Sequence, residues 1–174
     1  MNSFRMLKMA VAALLPIVAA CGDDEPVDPA TATNFTATLS GANEVPAVTT
    51  TATGTATLSV SGSQITYTIN VTNLQNAVLG HIHLAAAGVN GPVRLNLCGT
   101  GAPEPDCSTA PTGVLATGTN GTTVGAPPIT FEELVTAMRT GGAYVNVHTN
   151  AAGCTPGAPG CNPGGEIRGQ IVPN

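Results

Sequence analysis

The sequence predicts an all-β domain, an antiparallel Greek-key sandwich or barrel of about 7–8 short strands with one short helix at about residues 131–140. Composition is the first reason. Twenty-one Gly and 14 Pro punctuate a chain with 9% charged residues and no Trp, so its core has to be aliphatic. The second is a repeated two-residue alternation of apolar and polar residues in short runs between turn signals. The third is that helical spacing between a start and a stop signal stands out in one segment.

Taken in order, Phe35–Leu39 alternates as a half-buried strand, and Ser40–Pro46 reads as a loop marked by Gly41, Asn43 and Pro46. Thr55–Val60 places Ala56, Leu58 and Val60 on one face, and Gln64–Val71 does the same with Ile65, Tyr67, Ile69 and Val71. The three residues Ser61-Gly62-Ser63 join them as a hairpin. Leu79–Leu84 is a strand carrying His81 and His83 on one face, because side chains two apart point the same way. A glycine-punctuated loop, Gly88–Pro92, leads into Pro92–Leu97, with Val93, Leu95 and Leu97 opposed to Arg94 and Asn96. A short strand follows within Thr112–Thr123.

At the helix, Thr130 and Glu133 have capping-box spacing, and Ile129 and Leu134 that of a hydrophobic staple. Phe131, Leu134, Val135 and Met138 form its apolar stripe, and Gly141-Gly142 stops it. Ala143–His148 then puts Val145 and Val147 on one face and Tyr144, Asn146 and His148 on the other. Glu166–Ile171 is the last strand, with Ile167, Gly169 and Ile171 inward and Glu166, Arg168 and Gln170 outward.

The N-terminus is read as a targeting segment. Arg5 and Lys8 precede the apolar run Met9–Val18, which is shorter than the about 20 residues a membrane helix needs. Val18-Ala19-Ala20-Cys21 is similar to a bacterial lipobox, in which the cysteine is lipidated and becomes the mature N-terminus. Residues 1–20 are therefore expected to be a lipoprotein signal peptide, and residues 21–33 a lipidated Cys21 with an acidic, flexible tether. The expected location is a bacterial cell envelope, anchored by lipid and facing the periplasm or the outside. From Asn34 to Asn174 the chain carries six acids against three bases, a mildly acidic domain without the clustered Lys/Arg that nucleic-acid binding requires.

Cys98, Cys107, Cys154 and Cys161 allow three disulfide pairings. Cys98–Cys107 and Cys154–Cys161 are expected, each pair bracketing its own Gly/Pro-rich loop. Neither has the close spacing of a four-thiolate zinc site, and export favours oxidation.

Three blocks carry a family resemblance: Phe35–Pro46, Gly80–His83 with Gly88–Val93, and Ala143–His148 with Gly164–Gln170. Together, in this order, they resemble the CHRD domain, the module repeated in chordin, here as a bacterial CHRD domain-containing lipoprotein. The resemblance covers residues 34–174 and implies an extracytoplasmic β-domain. The two cysteine-bounded segments depart from the family pattern as lengthened loops.

The expected function is a non-enzymatic binding or scaffold module at the cell envelope, held to the membrane through its lipid and meeting a protein or glycan partner. No nucleophile elbow, phosphate loop or paired carboxylates are present to support catalysis. The alternative is a mononuclear metal-binding protein, copper or zinc, with His81, His83 and His148 as ligands and Glu166 or water completing the set. Against it stands a structural role, in which the imidazoles bond to loop backbone around Gly88–Pro92 or to Glu166. The distances among the three imidazoles distinguish the two.

Overall fold

The structure is a computed structural model and describes residues 28–101 and 103–174. The expected signal peptide, Cys21 and the expected tether as far as residue 27 lie outside the described residues. Among the described residues, nine strands, all paired antiparallel, one α-helix and a single 3-10 turn at Gly41–Asn43 make up the fold. The strands and the α-helix are β1 (Asn34–Ser40), β2 (Thr53–Ser61), β3 (Gln64–Thr72), β4 (Ala77–Leu84), β5 (Val93–Cys98), β6 (Gly113–Asn120), α1 (Phe131–Arg139), β7 (Ala143–Thr149), β8 (Ile167–Gln170) and the two-residue β9 (Val172–Pro173).

The strands form one sheet in the order β5-β4-β7-β8-β1-β2-β3-β6, with β9 on β1. The two ends of this order approach one another. Leu95 bridges Thr123, the Val124 amide donates to the Arg94 carbonyl at 2.9 Å, and the Asn120 carboxamide donates to the Asn96 carbonyl at 2.9 Å. The result is a nearly closed barrel, which leaves little exposed edge.

Alternation places the core. Phe35, Ala37 and Leu39 of β1, Ala56 and Leu58 of β2, Ile65, Tyr67, Ile69 and Val71 of β3, and Val145 and Val147 of β7 are buried together inside. Tyr67 fits among aliphatic neighbours because its hydroxyl donates to the Leu97 carbonyl, which spares a buried O–H. The β2–β3 hairpin is tighter than expected. Ser61 pairs with Gln64, leaving the two-residue turn Gly62-Ser63, and Gly62 takes the positive φ of +58° that such turns need.

At β4–β5 the register shifts twice, between Gly80 and His81 and between Ile82 and His83, so the simple alternation expected for β5 is interrupted. Arg94 is buried, its guanidinium donating to the Val124 and Pro127 carbonyls. The helix has the expected capping box: Thr130 Oγ1 accepts from the Glu133 amide, and Glu133 accepts from the Thr130 amide. Its Leu134 and Met138 join the core.

The domain's contacts begin ahead of β1, within the stretch expected to be tether. Ala32 is buried in the core, its carbonyl accepts from Arg139 Nε at 3.1 Å, and the Thr33 carbonyl accepts from the Val60 amide. No described helix is long and apolar enough to cross a membrane.

Candidate metal centre

Strand β7 has β4 on one side and β8 on the other, and all seven of its residues are buried. Its inward residues Val145 and Val147 join the core, while its other face carries Tyr144, Asn146 and His148. Register builds a polar layer there: His83 pairs with Tyr144, His81 with Asn146, Asn146 also with Arg168, and Tyr144 with Gln170. Cross-strand partners share a face, so these side chains converge outside the barrel wall. Contacts from residues 43–50, 85–91 and 160–165 cover the layer and bury it.

His81, His83 and His148 are 7%, 7% and 8% exposed. One ring nitrogen from each lies within 4.8 Å of the others, a common centre being within about 2.8 Å of all three, against about 2.0–2.1 Å for a zinc–imidazole bond. The ring centroids are 5.0 Å apart for His81–His148, 5.6 Å for His83–His148 and 5.7 Å for His81–His83.

Backbone carbonyls set two of the tautomers. His83 Nδ1 donates to the Gly91 carbonyl at 2.9 Å, and His148 Nδ1 donates to the Pro163 carbonyl at 3.0 Å. In the neutral ring each Nε2 is therefore left with its lone pair free, the arrangement that orients metal-binding histidines. His83 Nε2 is buried without a hydrogen-bond partner. His148 Nε2 sits 3.2 Å from His81 Nδ1, so without a metal His81 Nδ1 donates to it. A metal ion bound by both nitrogens would take the place of that shared proton.

Burial holds the rings neutral. It lowers the pKa of His81 to about 4, assisted by His148 and His83. It also lowers His83 to about 4, against the opposing bond to Gly91. His148 is lowered by the same main cause. At neutral pH no proton competes for the lone pairs. The chemistry of the set, three neutral imidazoles and no thiolate, suits copper or zinc.

Glu166 is not brought to the imidazoles. The β7–β8 ladder ends at Val147–Ile167, and the Glu166 amide turns to the same Val147 carbonyl that lies opposite Ile167. This local slip sends the carboxylate toward Thr149, of opposite parity to His148. There it accepts from the hydroxyls of Thr50 (2.7 Å) and Thr149 (2.6 Å), from the Gly160 amide (2.7 Å) and from Asn162 Nδ2 (3.3 Å). Glu166 anchors a loop and is not a ligand of the histidine cluster. It pairs with neither Arg94 nor Arg168.

The partner of Arg168 is Glu44, whose carboxylate accepts from Arg168 Nε at 2.7 Å with both side chains nearly fully buried. Arg168 also lies 4.8 Å over the Tyr144 ring, which stacks at 5.0 Å on His83. Burial raises the pKa of Glu44 even against the lowering effect of Arg168. Neither Glu44 nor Asn146 was assigned a role from sequence. The available signal was slight: Glu44 is one of six acids in the domain and sits in an otherwise uncharged loop.

The expected disulfides are both formed, Cys98–Cys107 and Cys154–Cys161. The second closes the loop between His148 and Pro163, whose carbonyl orients His148.

The fold is a nearly closed aliphatic β-barrel that carries a buried histidine layer on its outer wall. The chain belongs to the CHRD domain family: the family model described as CHRD domain matches residues 35–171. No curated protein and no solved structure matches it.

Proposed function

We propose that this CHRD domain is an extracytoplasmic, non-enzymatic binding module, carried on the cell envelope by lipidated Cys21, and that its ligand centre holds one copper or zinc ion on His81, His83 and His148. The convergence of one nitrogen from each ring carries the reading, with His83 Nε2 buried and without a partner. A structural role would account for the bonds to Gly91 and Pro163, yet it leaves that nitrogen unsatisfied, a cost of about 1–3 kcal/mol. Export fits both the oxidised cysteines and the lipobox-like Val18–Cys21. A protein or glycan partner at the envelope belongs to the same proposal.

The test is elemental analysis of tag-free protein purified from an oxidising compartment, with any free thiol blocked. One equivalent of copper or zinc is expected, lost in His83→Ala and His148→Ala. Wild-type protein that stays metal-free at micromolar copper and zinc, with those variants merely less stable, would assign the histidines to loop packing.

A further inference from the structure

A cleft that none of the three histidines lines has a volume of about 320 Å³. Its walls are residues 42–45, residues 87–88, and Arg168 and Gln170 of β8. Small-molecule clefts start at about 300 Å³, so this one has room for a ligand the size of a sugar ring. Two of its lining residues are charged, and they compensate one another: Arg168 Nε donates to Glu44 Oε2 at 2.7 Å. The other lining residues carry no charge. An anion placed here would meet the Glu44 carboxylate, and a cation the Arg168 guanidinium. Drawing either partner away would leave the other buried and unmet, so a neutral ligand suits the cleft.

The lining side chains have hydrogen-bonding capacity left over. Gln170 Nε2 spends its two hydrogens on the Ala85 and Gly141 carbonyls, so Oε1 has no donor among the described residues. Asn43 Nδ2 donates to the Thr38 and Arg168 carbonyls, and its Oδ1 is left in the same way. Turning either carboxamide over would set its oxygen against two carbonyls, so both orientations are fixed. Arg168 uses three of its five guanidinium hydrogens, on Glu44, Val89 and Asn90. The set therefore offers two acceptors together with remaining donors. A hydroxyl is neutral and both donates and accepts through one atom, which matches such a mixture. Ala42, Val45 and Ala87 add apolar surface for the C–H face of a ring. A peptide strand is the poorer fit, because it pairs with a free sheet edge and β8 already lies between β7 and β1.

We infer that this cleft binds a neutral saccharide unit, whose hydroxyls bond to Asn43 Oδ1, Gln170 Oε1 and the unspent guanidinium hydrogens of Arg168. This rests on the reading of the domain as a binding module, and it names a glycan as the ligand and the cleft as its site. It does not depend on the metal.

The experiment titrates the full mature chain, with chelator present, against the methyl glycosides of glucose, galactose, mannose and N-acetylglucosamine. Amide shifts in the NMR spectrum are the readout. At least one glycoside is expected to saturate at millimolar concentration, moving the amides of residues 42–45 and 87–88 and the Gln170 side-chain amide. Ala42→Phe and Ala87→Phe, both at exposed positions, fill the cleft and should weaken that binding by about tenfold or more with the fold intact. Absence of saturable shifts with all four glycosides overturns the inference, as do saturable shifts confined to other parts of the domain. Tighter binding of glucuronate, glucosamine or a capped dialanine peptide overturns it as well. The wild-type titration decides the matter even if a variant does not fold. Since chelator is present throughout, the outcome leaves the metal reading to its own elemental analysis, and the two fail separately.

Discussion

Glu166 shows how much a single side chain's placement decides. It is 1% exposed, and its carboxylate takes four donors that tie Thr50, Thr149, Gly160 and Asn162 together. Glu166→Ala would leave those donors buried and unmet, an expected loss of about 3 kcal/mol or more in urea unfolding. Amide exchange at Gly160 should rise with it; protection unchanged there would contradict the anchoring role. The histidines make the second case. In metal-free protein, His81 and His83 titrate near pH 4 when folded and near 6.5 when unfolded. Between those values the unfolded chain holds more protons, so stability falls as pH drops through the window and is level above it. Each unit of separation is worth about 1.4 kcal/mol per group. Urea midpoints across that range check it, and a flat profile would mean the rings are not buried neutral.

The disulfides contribute through the elements they join. Cys98 ends β5, is fully buried, and pairs over a separation of nine residues, while Cys154 and Cys161 are seven apart in the loop below Glu166. Loop closure of this length is worth about 2–3 kcal/mol for each. Removing Cys98–Cys107 as the double Ala variant should cost more than removing Cys154–Cys161, because a core side chain is lost along with the crosslink. Denaturation of the two double variants ranks them; equal losses would count against a core role for Cys98. Strand β7 shows why its sequence understates it. Its alternation of Val with Tyr, Asn and His reads as one face in and one face out, yet both faces are buried, since the covering segments come from elsewhere in the chain.

The proposed metal should stabilise the molecule as a whole. A ligand that binds only the folded state stabilises by mass action, about 2.7 kcal/mol at free metal 100 times its Kd. For a domain of this size that is a rise in Tm of about 5–10 °C. Thermal unfolding with and without chelator measures it, and His148→Ala should abolish the difference; a variant that keeps the full shift would place the metal elsewhere.

Much of this was legible from local pattern. The alternating runs around Phe35, Ile65 and Tyr144 specified strands, Thr130 with Glu133 specified the helix start, and the cysteine spacing specified two local crosslinks. Each depends on residues close together in the chain, where side-chain period and capping chemistry act directly. The His81–His83 pair was visible for the same reason. Its meeting with His148 depended on β4 lying beside β7, and the fate of Glu166 on a slip at the end of one ladder. The pairing of Arg168 with Glu44 spans 124 residues and followed from a loop folding over a sheet face. Periodicity reports which way a side chain points within its own strand; which strand lies next to it, and what covers the face, is set by the closure of the whole barrel.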